Sequence, residues 1–349
     1  MIIFIKVFTF FLTEYIIKWV FLRRKNLNPE ALMSQYILRL KPYISETIWG
    51  GRKLIDDFGI ETEKSNAAEG WMLSCLDMGP SIVADGEYAG KTLPQVIGTD
   101  PLWCGENIKK YSEFPVLIKF IDAMDDLSVQ VHPTKEYCEK TGRGRSKTEC
   151  WYIIDCEEDA SLLLGFNEEI TKEKFKSSIE DGSLLENVRR FKVKPGDFFF
   201  IDSGTLHAIC KGVLLAEVQE SSNTTYRIFD YNRVGKDGNK RELHVADAVE
   251  VTKTVPYEGN AEKTVNKPNE KNLLVTCDLF SVWNYSVNGK FTDTCDSSSF
   301  VSLLVMSGKG TLRCSGECIE ISKGDSLFIP AGFGEYTVEG NTEILETRI

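Results

Sequence analysis

Histidine is scarce: the 349-residue chain holds three, His132, His207 and His244. Any imidazole chemistry, ligation or proton transfer, therefore has three addresses. Paired cysteines are missing too, for the ten cysteines are scattered without a Cys-x-x-Cys, and the closest two are Cys314 and Cys318. That argues against a secreted disulfide scaffold and predicts reduced, packed thiols in a cytoplasmic protein. A clustered basic surface is also lacking. At a net charge of −11 the chain is excluded as a nucleic-acid binder, because neutralising a phosphate backbone needs such a surface. An anionic small molecule would need basic residues gathered locally.

Hydrophobic residues make up 42% of a length that exceeds one ordinary core, so two domains are expected. Residues 1–22 are apolar enough to suggest a membrane anchor, but Lys6, Glu14 and Lys18 interrupt them. A charge near a helix centre opposes insertion by about 2.5–3.5 kcal/mol. No small-residue cleavage site follows. Residues 1–32 are read as an atypical extension, with Met33 as an alternative start, where the strand pattern Tyr36-Ile-Leu-Arg-Leu40 begins. No membrane partner is expected unless that extension is native.

From Met33 to about Phe120 the pattern is one of short strands and turn signals such as Trp49-Gly-Gly51 and Ala84-Asp-Gly86. A doubly wound sheet is not indicated. Helical spacing appears chiefly from Thr171 to Arg190, with Thr171 as N-cap, Phe175 and Ile179 on one face, Gly182 as stop and Ser183 as a second cap. This predicts a helical insertion, about residues 167–190, in a mainly β protein.

An internal echo organises the rest. Val193-Lys-Pro-Gly-Asp-Phe-Phe-Phe-Ile-Asp-Ser-Gly-Thr-Leu-His207 recurs as Ile321-Ser-Lys-Gly-Asp-Ser-Leu-Phe-Ile-Pro-Ala-Gly-Phe-Gly-Glu335. Each copy is a Gly-Asp turn into an apolar strand, with a second glycine for the turn back. Such units resemble the second signature motif of the cupin superfamily, which implies jelly-roll barrels with inward-pointing metal ligands. Two units imply a bicupin: a metal-binding domain over 33–255, then a connector and a second barrel over 256–349. The register sets Glu335 against His207, so the second barrel is expected to lack metal ligands.

In Ser128-Val-Gln-Val-His-Pro133, strand alternation puts Gln130 and His132 on one face, and in Lys147-Thr-Glu-Cys-Trp151 it does the same for Lys147, Glu149 and Trp151. With His207 arriving from the first Gly-Asp unit, Gln130, His132, Glu149 and His207 offer two nitrogens and two oxygens. That set suits zinc, although two histidines and a carboxylate also describe a non-haem iron triad. A single strand histidine is most often core or surface; convergence of three motifs is what points to a metal. His244, in Arg241-Glu-Leu-His-Val, lacks such company and reads as structural or surface.

The segments Gln-Val-His-Pro, Lys-Thr-Glu-Cys-Trp-Tyr, Gly-Thr-Leu-His-Ala-Ile and Thr-Thr-Tyr-Arg-Ile-Phe-Asp-Tyr, with Ile48-Trp-Gly-Gly51 near the start, together resemble the type I phosphomannose isomerases in their short bacterial form. The resemblance runs from about Met33 to Ile349. It implies a zinc-dependent isomerase of mannose 6-phosphate and fructose 6-phosphate, with one ion per chain on Gln130, His132, Glu149 and His207. It also implies Arg227 as the active-site arginine and further site positions at Lys119, Lys147 and Glu217. The family's usual aspartate is replaced by Asn223, which cannot exchange a proton as a carboxylate does. Aldose-ketose isomerisation needs a carbonyl polariser, a base and an anion stabiliser. Arg227 suits an enediolate or phosphate clamp, Lys147 and Glu217 remain alternative bases, and Lys119 would contact substrate. Two other readings use the same residues: an iron-dependent cupin oxygenase, and a silent sugar-binding bicupin.

Overall fold

Three antiparallel sheets carry the chain, which the computed structural model describes over residues 35–235, 238–259, 262–263, 267–314 and 317–349. The readings of residues 1–32 lie outside the described residues. A seven-stranded sheet runs in the order 262–263, 197–201, 149–156, 213–220, 116–123, 69–73, 43–45. Its inner strand Val116–Ala123 is buried at every position, which is why alternation disappears there and Lys119 and Asp122 interrupt an apolar run. A five-stranded sheet, ordered 226–229, 129–131, 207–209, 161–166, 188–192, packs on it. Trp151, Ile153, Phe199, Ile201 and Leu215 of the first sheet share one buried cluster with Leu162, Leu164 and Ile209 of the second. Each such side chain contributes about 1.5–3 kcal/mol by leaving water.

The other face of the five-stranded sheet is covered by helices. Val129, Val131, Leu163, Ala208 and Ile228 bury there with Phe175 of helix Lys172–Asp181 and Ala248 of helix Val245–Val251. Thr171 caps the former by accepting from the Lys174 N–H, and Gly182 closes it with φ 84°. Ser183 precedes a single turn, Leu184–Asn187, without a side-chain cap bond. Helix does not reach Arg190: Val188–Lys192 is a strand on Ser161–Phe166, because Val188 and Phe191 can complete a sheet edge there. Short helices at Lys53–Asp56 and Leu93–Ile97 also interrupt the stretch read as strands and turns. Among the described residues no helix is long and apolar enough to cross a membrane.

The third sheet follows the order 272–276, 281–295, 334–348, 301–314, 326–329, 38–41, 82–83, with 317–322 added on 301–314. Tyr285, Leu303, Val305, Leu327, Tyr336 and Val338 fill its core. Leu38–Lys41, the first strand among the described residues, pairs with Ser326–Ile329. Nothing in the residue pattern signals that crossing. The connector is also tied down: Glu262–Lys263 pairs with Asp197–Phe198, and Tyr257 donates to the Phe200 carbonyl at 2.8 Å.

The repeated motif is a repeated geometry. Gly196 and Gly324 take φ of 88° and 95°, and Gly204 and Gly332 take 86° and 77°, values that strain any residue with a Cβ. In both copies the aspartate closes the turn: Asp197 accepts from the Lys194 N–H at 3.0 Å, Asp325 from the Ser322 N–H at 2.7 Å. The copies part at their last position, where His207 is 1% exposed and Glu335 lies at the surface. Glu335→Ala should accordingly leave turnover unchanged and shift stability by no more than about 0.5 kcal/mol. Thermal melts with parallel rate measurements check this; a folded variant with impaired turnover would contradict it.

Candidate metal and substrate site

The five-stranded sheet brings three site residues side by side. Gln130 is flanked across the sheet by His207 on one neighbouring strand and Arg227 on the other. His132 follows two residues on, and its ring centroid lies 4.7 Å from that of His207. The seven-stranded sheet brings the opposing wall, on which Glu149 pairs with Gln219 and Glu217 lies between Lys119 and Trp151.

Hydrogen bonds fix which imidazole nitrogen faces the centre. His132 Nδ1 lies 2.9 Å from the Thr224 carbonyl, and His207 Nδ1 lies 2.9 Å from the Thr205 carbonyl. A carbonyl only accepts, so both rings carry their proton on Nδ1 and present a bare Nε2 lone pair, the orientation common for metal-binding histidines. Burial, then the Lys147 charge, pushes the His132 pKa down to about 3, and burial also lowers that of His207. In both rings burial favours the neutral form.

Those lone pairs point at an acid. His132 Nε2 is 3.3 Å from Glu149 Oε2, and His207 Nε2 is 3.5 Å from Oε1. With no proton between them, acceptor faces acceptor. His132 Nε2 and both Glu149 oxygens are buried without an aligned hydrogen-bond partner among the described residues, although Lys147 Nζ approaches Oε2 to 2.9 Å as an ion pair. Burial favours the neutral acid, but the Lys147 ammonium beside it outweighs that and holds Glu149 well below the usual carboxylate range. Donor atoms of His132, Glu149 and His207 lie within 4.8 Å of one another. Gln130 Nε2 is 3.2 Å from His207 Nε2, so a half-turn of the amide brings its oxygen to the same place. A cation between these atoms would replace repulsion by coordination, so the residues fit a metal ion.

Beside this cluster runs a ladder of acids and lysines. Lys119 is 5% exposed, not a surface lysine, and its Nζ lies 3.5 Å from Glu69 and 3.2 Å from Glu217. Burial opposes its charge, yet Glu69 and Glu217 more than compensate and raise its pKa. Glu217 Oε2 accepts from Trp151 Nε1 at 3.1 Å, while Oε1 has no aligned hydrogen bond among the described residues. Burial and then the Glu149 charge raise the Glu217 pKa.

These walls open onto a cavity of about 280 Å³ whose lining includes Gln130, Lys119, Lys147, Glu217 and Arg227. That is the small end of the range for ligand clefts, about 300–1,000 Å³. His244, which the sequence assigns to structure or surface, lines it too, as do Arg241, Asn223, Trp49 and Glu69. Glu69 accepts from Trp71 Nε1 at 2.7 Å. An acid alternating with tryptophan at the start of an apolar strand is the signal that could have found it. Trp49 reaches the cavity through the two glycines that follow it: a Cβ on Gly50 would lie 2.4 Å from that of Ala68, and one on Gly51 would lie 2.2 Å from Asp122 Oδ2. All ten cysteines are free thiols, outside this lining.

Comparison with known proteins shows the family. The phosphomannose isomerase type I catalytic-domain family matches residues 37–160, and the mannose-6-phosphate isomerase cupin-domain family matches 269–349. Over 320 residues the chain is 42% identical to a Bacillus subtilis (strain 168) protein named "Probable mannose-6-phosphate isomerase", covering 88% of this chain and 98% of that one. A crystal structure of mannose 6-phosphate isomerase from Bacillus subtilis superposes with a TM-score of 0.81 at 34% identity, over 90% of this chain and 100% of that one. At 16% identity, a zinc-bound mannose 6-phosphate isomerase shares the fold with a TM-score of 0.71, over 90% of this chain and 99% of that one. Fold and relatives define an isomerase of mainly β, cupin-type architecture. The chain belongs to the type I phosphomannose isomerase family.

Proposed function

We propose that the protein interconverts mannose 6-phosphate and fructose 6-phosphate through an enediolate, using one zinc ion per chain held by Gln130, His132, Glu149 and His207. The observation that carries this is the buried meeting of the His132 and His207 Nε2 atoms with the Glu149 carboxylate, beside a cavity lined by acids and cations. Two nitrogens and two oxygens suit zinc, and the relative of shared fold whose structure holds zinc agrees with that choice. Bound there, zinc would act as a Lewis acid toward sugar oxygens.

The chain's own groups supply the rest. Glu217 takes the proton from C2 of the aldose, the C–H electron pair moves toward the carbonyl oxygen, and the same carboxyl returns the proton to C1 while a proton passes from O2 to O1. Its raised pKa makes it a better base than an ordinary glutamate. Lys147, held 2.9 Å from Glu149, serves as an ammonium donor rather than as base. Arg227 steadies the enediolate oxygens, and Lys119 bonds substrate hydroxyls. The same reading takes the chain as two jelly-roll barrels, with the matched Gly-Asp turns as support; the bounds 33–255 and 256–349 are blurred by Leu38–Lys41 and Ile82–Val83, which join the C-terminal sheet, and by Glu262–Lys263, which joins the seven-stranded one.

A coupled assay for fructose 6-phosphate formed from mannose 6-phosphate tests the reading. Activity should vanish with a chelator and return with zinc. Glu217→Gln should keep zinc and lose about 10²–10⁴ of turnover. In the wild type, a base whose pKa is raised must be deprotonated to act, so the acidic limb of kcat should lie above the ordinary glutamate value of about 4.3. Bound iron with substrate-linked oxygen uptake would instead establish the oxygenase.

A further inference from the structure

The two buried imidazoles are steadied by the same kind of acceptor at very different range. His207 Nδ1 bonds the carbonyl of Thr205, two residues back in its own turn, and Thr205 Oγ1 donates to Asp202 Oδ1 at 2.8 Å within that turn. His132 Nδ1 instead reaches the carbonyl of Thr224, 92 residues away. The sheet does not hold that carbonyl in place. The ladder to Val129–Val131 starts at Tyr226, and residues 221–225 belong to no helix or strand. Side-chain bonds must fix Thr224 instead.

We propose that Thr224 is a positioning residue for the metal centre: the loop 142–146 clamps it, and the clamp sets the orientation of the His132 ring and with it the affinity for the metal ion. This rests on the zinc-dependent isomerase reading and adds to it what tunes the site. The clamp is reciprocal. The Arg145 N–H donates to Thr224 Oγ1 at 2.9 Å, Ser222 Oγ donates to the Arg145 carbonyl at 3.2 Å, and the Thr224 N–H donates to Ser222 Oγ at 3.3 Å. Ser222, 1% exposed, is thus shared by both sides. Its own carbonyl accepts from Gln219 Nε2 at 2.7 Å, and Gln219 pairs with Glu149 across the sheet.

Gly144 lets the loop come this close. It takes φ 65°, and a Cβ there would lie 2.7 Å from Thr224 Cγ2 and 3.1 Å from the Tyr226 hydroxyl. Gly142 takes nearly the same φ, 67°, but a Cβ on it would meet nothing within 4 Å among the described residues. The loop also leads straight into a ligand. Ser146 Oγ donates to Glu220 Oε1 at 2.9 Å, and the Glu220 N–H donates to the Thr148 carbonyl at 2.9 Å, one residue before Glu149. The clamp therefore ties the acceptor of His132 to the start of strand Glu149–Cys156. Asn223 and Thr225 line the cavity, while Thr224 between them is turned to the loop, so its part is to orient a ligand rather than to touch substrate. Outer partners of metal-ligating histidines contribute about 10–100-fold in metal affinity.

Zinc affinity of the full chain, measured by chelator competition alongside melts of the zinc-free protein, tests this. Thr224→Val keeps the shape but removes the acceptor of the Arg145 N–H, and should weaken zinc binding about tenfold with the zinc-free melting temperature within a few degrees of wild type. Thr224→Ser keeps the hydroxyl and should recover most of that affinity. Gly144→Ala should reproduce the loss by pushing the loop off Thr224, whereas Gly142→Ala imposes the same backbone strain without the contact and should leave affinity unmoved. Folded Thr224→Val and Gly144→Ala proteins that hold zinc as tightly as wild type would overturn the clamp while the isomerase reading stands. Affinity losses that merely track the zinc-free melting temperature, Gly142→Ala included, would overturn it too. A wild type that fails to convert mannose 6-phosphate, yet binds zinc in a Thr224-dependent way, would mean the opposite: the clamp stands and the isomerase reading falls.

Discussion

His207→Ala is expected to yield a folded protein without bound zinc and with mannose 6-phosphate turnover reduced at least about a thousandfold. Loss of the metal removes several kcal/mol of charge stabilisation, and each 1.36 kcal/mol is about tenfold in rate. The imidazole is 1% exposed, its Nδ1 is committed to the Thr205 carbonyl and its Nε2 faces Glu149 Oε1 at 3.5 Å. Alanine strands that carbonyl and leaves a void, which costs about 1–3 kcal/mol. It also removes the repulsion of the bare lone pair from the carboxylate. The metal-free variant should therefore melt close to the metal-free wild type, whereas zinc should raise the melting temperature of the wild type alone. Elemental analysis, melts with and without zinc, and the coupled assay together provide the check. A folded variant that keeps stoichiometric zinc and more than a tenth of the activity would remove His207 from the centre.

Much of this centre is legible in the residues because strand alternation is a strict rule. Gln130 with His132, and Lys147 with Glu149 and Trp151, need only a period of two to be placed together. The internal echo is legible for a related reason: positive φ at Gly196 and Gly324 admits glycine almost alone, so backbone geometry writes itself into sequence. His244 escapes a local reading because its role depends on pairing. Isolated in Arg241-Glu-Leu-His-Val, it carries no periodic partner, and only the backbone bonds to Arg227 bring it to the cavity. Glu69 escapes for the same reason, since its partner Lys119 is distant in sequence and reaches it only across the sheet.

Fold-level errors have a physical pattern as well. Leu93–Ile97 is five residues long, too short for helical periodicity to show; its capping box, Thr92 with Gln95, is its one local mark. Val188–Lys192 follows helical turns without a break in polarity, and it becomes strand because Ser161–Phe166 offers an open edge. The crossing of Leu38–Lys41 into the third sheet is a long-range choice. The two halves also meet through the face of Glu149–Cys156 turned away from the metal centre, where Tyr152 donates to Glu343 at 2.5 Å. Alternation foresees that Tyr152 faces away from Glu149; what it faces is set by tertiary packing.

Arg227→Ala should separate catalysis from metal binding: full zinc content, with kcat lowered about 10²–10³-fold, the scale set by removing one preorganised donor from a developing oxyanion. Arg227 reaches the Glu242 carbonyl and contacts no proposed ligand through its side chain, while its main chain pairs with Gln130 in the sheet. Alanine keeps that pairing, so the ligand strand should hold its register. Arg227→Lys should recover only part of the rate, because an ammonium carries charge but cannot span two oxygens in a plane. The two kinetic constants separate the roles: an enediolate clamp lowers kcat, whereas a group that only anchors the substrate raises KM and spares kcat. Zinc loss in Arg227→Ala would mean that the arginine supports the ligand strand rather than the reacting sugar, and a KM effect alone would make it a substrate anchor rather than an enediolate clamp.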